Sequence, residues 1–244
     1  MKRVNIFAYT IGLVFRKGNF VRVLTQGSHC LLWNEQVVTY NMTEDFVAPC
    51  DLDILLQNDT LAAHLEVVEV KDNEIALQFK NDNFYKVLGP GKYASWLSIS
   101  HFDYQIIDLN ALEVGKGIDK GLLHRNELIK YIRVFVVESY QAGLLIVDGQ
   151  FVRQLQSGVY YFWKNTQTIS VQKVDLRLQQ MEVSGQELLT KAKAALRVNF
   201  QAQYKVVDIK KALSDTKDFN KQLYILLHLG LREYVGLQNL DELL

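Results

Sequence analysis

The fold is best predicted from Gln141–Trp163, which reads QAGLLIVDGQFVRQLQSGVYYFW. Its apolar run leads into Asp148-Gly149, a dipeptide typical of type I′ hairpin turns because both positions readily take a positive φ. The next segment, Phe151–Leu155, alternates apolar and polar residues, which is the period of a half-buried strand. Gly158 then marks a second turn before another apolar segment. The stretch therefore predicts a small antiparallel β-meander.

The same spacing occurs three times along the chain. In each copy a small residue precedes a Phe by 8 positions, the Phe precedes a Leu by 4, and the Leu precedes a Gly by 3. A Trp follows this Gly after 6 positions in copy one and after 5 in the other two. Asn, Asp and Gly, which tolerate left-handed conformations, occupy the first turn of every copy. The residues that define the repeat are Phe20, Gly27 and Trp33, then Phe84, Gly91 and Trp96, then Phe151, Gly158 and Trp163.

The repeat predicts an α+β fold with three antiparallel β-meander modules, the last one extended by two strands and helices. We expect copy one in residues 1–66, copy two with a helical connector in 67–131, and the extended copy in 132–244. Each Phe should occupy an equivalent core site, each Trp should begin the next strand and join the core, and the three first turns should be equivalent hairpin tips. Helical periodicity predicts one or two short turns between Pro49 and His64, and a longer helix between Ile118 and Ile132.

The residues after Asp175 have no counterpart in the first two copies. Strands are predicted at Arg177–Val183 and Ala194–Val206, and helices are predicted after the N-cap residues Asp208 and Asp218. The helix after Asp218 has apolar residues on more than one face, which indicates that it is deeply buried or shared with a partner. Its candidate oligomer-contact residues are Phe219, Leu223, Leu226, Leu227 and Tyr234.

The end of the sequence has the form of a helix that has just begun. Asn239 with Glu242 three positions later is typical of a helix cap, so a helix is predicted from about Leu240. A helix that stops after little more than one turn is unstable in water. We therefore expect Leu244 to be a boundary within a longer protein.

Composition excludes several classes of protein. Lys plus Arg and Asp plus Glu each number 27, so no net charge would concentrate the chain on nucleic acid or on anionic lipid. The longest apolar runs have five or six residues, whereas a spanning helix needs about 20. The start of the chain shows no signal-peptide pattern. We expect a cytoplasmic protein that binds no nucleic acid, with Cys30 and Cys50 as reduced, buried thiols.

Residues for catalysis or metal binding are scarce. Gly115–Gly121 resembles a dinucleotide-binding loop, but Lys120 stands where that loop needs a third Gly, so a plain connector is the better interpretation. The five histidines show no metal-ligand spacing, and the pair Asp51 and Asp53 lacks the loop that calcium sites use. The sequence therefore predicts no catalytic residue, no cofactor and no metal. The alternative, a soluble β-rich small-molecule-binding or hydrolytic protein, would need a pocket with convergent titratable groups.

Residues 132–244 resemble the SPFH or band 7 domain, and most closely the slipin branch of the stomatins. Gly149-Gln150-Phe151 with Gly158 stands where that family has its Gly-Arg-Phe and Gly-Pro-Gly segment. The family's Val-Asp-Leu-Arg strand is matched by residues 174–177, and its Tyr-Arg-Val-Val-Asp segment by residues 204–208. Its closing helix is matched around Leu231-Arg232 and at residues 240–244. Ala192 and Ile209 depart from the family's usual Asp and Pro.

The resemblance implies a non-enzymatic scaffold that oligomerises and organises membrane-associated proteins or membrane proteases. It also implies a coiled-coil arm after the domain, so the expected partners are further copies of the chain, joined through a region beyond Leu244, and a membrane-bound protease or another membrane protein. The expected location is the cytoplasm, with a peripheral position at the inner face of the membrane.

Overall fold

The computed structural model describes residues 2–97 and 100–243 and divides into two compact units, Met1–Tyr131 and Ile132–Leu244. All strand pairs among the described residues are antiparallel, and they form two- and three-stranded sheets. Helices are interspersed among these strands. The predicted α+β class is confirmed.

The first unit holds ten strands in two groups of five, each termed a module below. The first module has β1 (Lys2–Ile6), β2 (Thr10–Arg16), β3 (Asn19–Leu24), β4 (Gly27–Leu31) and β5 (Glu35–Asn41). Two short helices follow, α1 (Leu52–Leu56) and α2 (Asp59–Ala62). The second module has β6 (Leu65–Val70), β7 (Glu74–Lys80), β8 (Asn83–Leu88), β9 (Gly91–Trp96) and β10 (Phe102–Asp108). The unit ends with α3 (Lys120–Leu123) and α4 (Asn126–Ile129).

The second unit begins with a third module and continues into a hairpin and helices. The module has β11 (Ile132–Val137), β12 (Gln141–Val147), β13 (Gln150–Leu155), β14 (Gly158–Trp163) and β15 (Ile169–Asp175). The long hairpin is β16 (Gln179–Leu189) with β17 (Ala195–Tyr204), followed by a π-helical turn, Lys211–Asp215. The chain then forms α5 (Phe219–Leu237) and α6 (Leu240–Leu243). Leu244, the last residue of the family-like closing motif, lies outside the described residues.

The three modules share one pattern of strand pairing. In each, the first strand pairs with the fourth, and the second strand lies between the third and the fifth. The small residue of the repeat lies opposite the Leu of the returning strand in all three, as the pairs Gly12 with Leu24, Ala76 with Leu88 and Gly143 with Leu155. A register shift follows two residues later, at Val14/Phe15, Gln78/Phe79 and Leu145/Ile146.

The first turn of each module has the same backbone form. Both central residues have positive φ: 50° and 83° at Lys17-Gly18, 51° and 63° at Asn81-Asp82, and 50° and 78° at Asp148-Gly149. Two consecutive left-handed residues are what a type I′ hairpin requires. Gly, Asn and Asp supply that conformation in five of the six positions, which is why these short segments turn so tightly.

The repeated aromatic residues differ from expectation. Phe20 and Phe84 are half-buried, and Phe151 is exposed, although each lies opposite the residue that follows the register shift. They lie near the hairpin tips, at one end of each three-stranded sheet, where each ring keeps part of its surface open to solvent even though Phe20 packs against a buried cluster that includes Leu13. The expectation that the three Phe residues fill core sites is therefore wrong.

The tryptophans end strands or follow them, instead of beginning them, and only two of the three lie in the core. Trp96 and Trp163 close β9 and β14 and are 2% and 1% exposed, whereas Trp33 lies after β4 and is 91% exposed. Trp33 comes one residue later in its module, which carries it past the last paired residue, Leu31. Leu31 takes the buried position that Ser95 and Phe162 hold in the other modules.

The connectors are shorter than a continuous helix. Two turns, α1 and α2, lie between Pro49 and His64, as the sequence predicts. Between Ile118 and Ile132 the single longer helix is replaced by α3 and α4, because Arg125 is extended, with φ −73° and ψ 143°. This break lets Leu123 and Leu128, five residues apart, both reach the interior.

Candidate functional site

Helix α5 is the longest helix and the candidate interaction element. The side chain of Asp218 accepts a hydrogen bond from the Lys221 backbone N–H at 3.0 Å, which caps the first turn. An N-cap acceptor satisfies one of the amide groups that a helix leaves without an intrahelical partner. The helix runs for 19 residues until Gln238 turns extended.

One stripe of α5 is covered by its own unit. Phe219, Leu223, Leu227 and Leu231 are half-buried and Val235 is fully buried, at intervals of four residues. The helix packs on β16, and Phe219 lies against a buried cluster that includes Leu144, Val174 and Ile209. This stripe therefore stabilises the unit.

Apolar side chains of α5 outside this stripe are open to solvent. Leu226 is 61% exposed, and the other exposed apolar residues of the helix are Tyr224, Ile225, Leu229, Tyr234 and Leu237. The name outer face is used for the exposed residues Ile225, Leu226, Leu229, Tyr234 and Leu237, which are spread over about half of the helix circumference. Of the five predicted contact residues, Leu226 and Tyr234 lie on the outer face, while Phe219, Leu223 and Leu227 are half-buried. Their role in oligomer contact stays a prediction.

A groove runs between α5 and β16. It has a volume of about 550 Å³ and is lined by Gln186, Glu187, His228 and Arg232 among others. Gln186 lies where β16 and β17 shift register, next to Gly185, whose φ is 73°. The Gln186 side-chain oxygen is buried without a hydrogen-bond partner.

The residues that the sequence singled out for chemistry have structural roles. Asp119 accepts from the Gly121 backbone N–H at 2.8 Å and so caps α3, which makes the glycine-rich segment a connector. His29 and His64 bond the backbone oxygens of Thr25 and Thr60. Within residues 2–97 and 100–243, no group of three or more His, Cys, Asp or Glu side chains is placed to hold a metal ion.

The two cysteines are free thiols, and their burial differs from expectation. Cys50 is partly buried, but Cys30 is exposed. Cys30 lies on β4, a strand of a two-stranded sheet with β1. So narrow a sheet leaves one of its faces open to solvent, which explains the exposure.

A buried ion-pair cluster in the first module was not predicted. The Glu35 carboxylate, with only 1% of its side chain exposed, lies 2.8 Å from Arg22 and 3.3 Å from Arg16. It also accepts from the Leu32 backbone N–H at 2.9 Å. This backbone donor and the two guanidinium groups lower the pKa of Glu35 despite the opposing effect of its burial.

A polar cluster in the second module was also missed. The Gln78 side-chain nitrogen donates to the Ser95 Oγ and to the Tyr104 Oη, both at 3.0 Å, and the two hydroxyls lie 2.6 Å apart. Burial raises the pKa of the Tyr104 hydroxyl. Comparing the modules position by position would have revealed the cluster, because Gln78 takes the place of Val14 and Leu145.

No helix in the part of the chain that the structure describes combines the length and the apolar character needed to cross a bilayer.

Comparison with known proteins locates a family signature in the second unit. Residues 135–244 match the model of the SPFH domain / Band 7 family. The match begins within β11 and extends through α5. It therefore includes the outer face.

Curated relatives match over a similar length. The chain is 31% identical over 124 residues to a protein of Archaeoglobus fulgidus, covering 51% of this chain and 49% of that protein. It is 29% identical over 111 residues to a protein of Methanocaldococcus jannaschii, covering 46% of this chain and 55% of the relative. A stomatin homolog of Pyrococcus horikoshii is 29% identical over 109 residues, covering 45% and 40% of the two chains. The chain thus spans about half the length of these relatives, or less.

Proposed function

Because residues 135–244 of this chain form an SPFH/band 7 domain, we propose that the protein is a stomatin-like scaffold without enzymatic activity of its own. The similarity to a stomatin homolog supports the scaffold class. The second unit fits this class, since apolar side chains of α5 are open to solvent. A scaffold needs contact surfaces and no catalytic cluster.

The observation that carries the proposal is the outer face of α5. Its exposed Leu226, Leu229 and Leu237 lie on a helix whose other side already packs on β16. Apolar surface of this kind on a folded unit marks contact sites for other proteins. The proposed occupant is another copy of the chain.

The finer features of the proposal follow from the family. The assembly would include a coiled-coil region beyond Leu244 and would organise a membrane-bound protease or another membrane protein. The protein would act in the cytoplasm, at the inner membrane surface, and would bind no nucleic acid and no cofactor.

The three modules belong to the same proposal. We infer that they are copies of one unit, because they share strand order, register and the position of the register shift. Only the third copy is extended by the hairpin and α5. The first two modules would then offer further surfaces to which client proteins bind.

Self-association can be tested with one substitution on the outer face. Leu226→Glu places a charge in the middle of this apolar surface. We therefore expect this variant to dissociate the assembly that the full-length protein forms. Light scattering at micromolar concentration measures the mass. Val152→Glu, at an exposed apolar position on β13, is the matched control and should leave the mass unchanged. A wild-type protein that stays monomeric, with or without liposomes, would remove the scaffold proposal.

A further inference from the structure

A cavity that the scaffold proposal does not use lies between the second module and the segment Asp45 to Leu52. It has a volume of about 300 Å³ and lies entirely within the first unit. Its lining includes the polar residues Asp45, Gln78, Lys86, Lys92 and Ser95, together with apolar residues such as Phe46, Val47, Leu52 and Leu88. This volume is at the lower end of the range for small-ligand pockets.

The position of the polar cluster in the repeat shows that it is a specific feature of this module. Gln78, Ser95 and Tyr104 are replaced by Val14, Leu31 and Val37 in the first module and by Leu145, Phe162 and Val171 in the third, as the strand registers align them. Apolar residues therefore suffice to build this interior. The second module thus has three hydrogen-bonding side chains at positions where the other two modules have apolar residues.

One atom of the cluster is left unsatisfied. Gln78 is 3% exposed, and its Oε1 has no hydrogen-bond partner. The neighbours of the amide fix its orientation. As placed, the Gln78 nitrogen donates to both hydroxyls, whereas an oxygen in its place could accept from only one of them, because the 2.6 Å contact between Ser95 and Tyr104 takes the other hydroxyl proton. A buried acceptor without a donor lowers the stability of the folded state, because the desolvation of that oxygen is not compensated. A ligand that supplies an N–H or O–H to this oxygen would recover that stability.

The charged groups of the cavity are two ammonium groups and a carboxylate. Lys86 lies opposite Gln78 in the β7–β8 pair and donates to Asp45 at 2.7 Å. Lys92 pairs with the exposed Asp53. Each ammonium group has three donors, so donors remain for a bound anion. Lys86 and Tyr85 lower the pKa of Asp45 although its partial burial opposes them, which keeps this carboxylate charged.

We propose that this cavity binds a small zwitterion with the chemistry of an α-amino acid that has an apolar side chain. The ligand's ammonium group would donate to Gln78 Oε1 and face Asp45, and its carboxylate would accept from Lys86 and Lys92. Its side chain would lie against Phe46, Leu52 and Leu88. No covalent step is involved.

Calorimetric titration of the whole chain with L-leucine tests the proposal. Two fragments of leucine separate the contributions: 4-methylpentanoate lacks the ammonium group, and 3-methylbutylamine lacks the carboxylate. We expect leucine to bind with 1:1 stoichiometry and each fragment to bind at least about tenfold more weakly, since each loses a charged hydrogen-bonding group. Absence of leucine binding at millimolar concentration, or fragments that bind as well as leucine, would overturn the proposal.

Variants then locate the binding site. Gln78→Leu installs the residue type found at the equivalent Leu145, so the module should still fold, and leucine affinity should fall about tenfold. Lys92→Met, at the rim of the cavity, should weaken the binding of leucine and of 4-methylpentanoate but not that of 3-methylbutylamine. This variant tests the proposal if Gln78→Leu does not fold. Gln36→Leu, at an exposed position on β5, is the control and should bind as wild type does. Unchanged affinity in both cavity variants would contradict the assignment.

Discussion

The Glu35 carboxylate is a buried charge in the first module, and its hydrogen-bond partners determine how the stability of the module depends on pH. The carboxylate is held by Arg16, Arg22 and the Leu32 amide. Its pKa in the folded state lies below the ordinary value of 4.5, so its stabilising contribution is fully present above that value. Protonation removes it as the pH falls through the folded-state pKa.

We expect Glu35→Gln to destabilise the first unit at neutral pH, because two arginines lose the charge that they surround. The difference from wild type should shrink below pH 4.5, where wild type also loses this charge. Denaturant unfolding at neutral and acidic pH measures both effects. Glu44→Gln, at an exposed position, is the control, and equal midpoints for wild type and Glu35→Gln at neutral pH would contradict the prediction.

The Asp218 side chain stabilises the first turn of α5. Asp218→Ala removes the acceptor for the Lys221 amide, and loss of an N-cap side chain costs about 1 kcal/mol. We expect the free energy of unfolding of the second unit to fall by that amount in a denaturant titration. Asp215→Ala, an exposed position just before the helix, should be close to neutral. A cap variant as stable as this control would show that α5 is held by packing alone.

Elements were predictable from sequence where local chemistry determines them. Asp148-Gly149 specifies a turn by its own conformational preference, and Asp218 specifies a helix start by its own side chain. Burial was less predictable because it depends on distant residues. Periodicity shows that α5 has several apolar sides, but only the packing on β16 decides that Leu227 is covered and Leu226 is not. The polar cluster around Gln78 is different, because it has a signal in the sequence: the aligned positions of the other two modules hold Val14 and Leu145.

At the scale of the whole molecule, each unit has its own buried interior, and equivalent core positions can be compared across modules. Leu13, Leu77 and Leu144 occupy the same place in their modules and are at most 1% exposed. Truncation of such a leucine to Ala costs about 2–5 kcal/mol. If the three modules are equivalent, truncation of each of these leucines should therefore lower the free energy of unfolding by a similar amount.

We expect Leu13→Ala and Leu77→Ala to lower the unfolding transition of the first unit, and Leu144→Ala to lower that of the second, each by an amount in this range. Calorimetry with circular dichroism on the whole chain separates the transitions. Val38→Ala, at an exposed position on β5, is the control. Costs that differ widely among the three leucines would argue against equivalent modules, and one common transition shifted by every variant would argue against two independent cores.

The unequal tryptophans give the protein a built-in spectroscopic reporter. Trp33 projects into solvent, whereas Trp96 packs edge-on against Phe46 at 5.0 Å, and Trp163 is enclosed in the second unit. A collisional quencher such as iodide will therefore quench the fluorescence of Trp33 and leave the fluorescence of Trp96 and Trp163 largely unchanged. The quenchable part of the fluorescence then reports on the surroundings of Trp33 in the first module, and the protected part reports on the interiors around Trp96 and Trp163. Binding of a partner near Trp33 and unfolding of either interior can therefore be distinguished in one unlabelled sample.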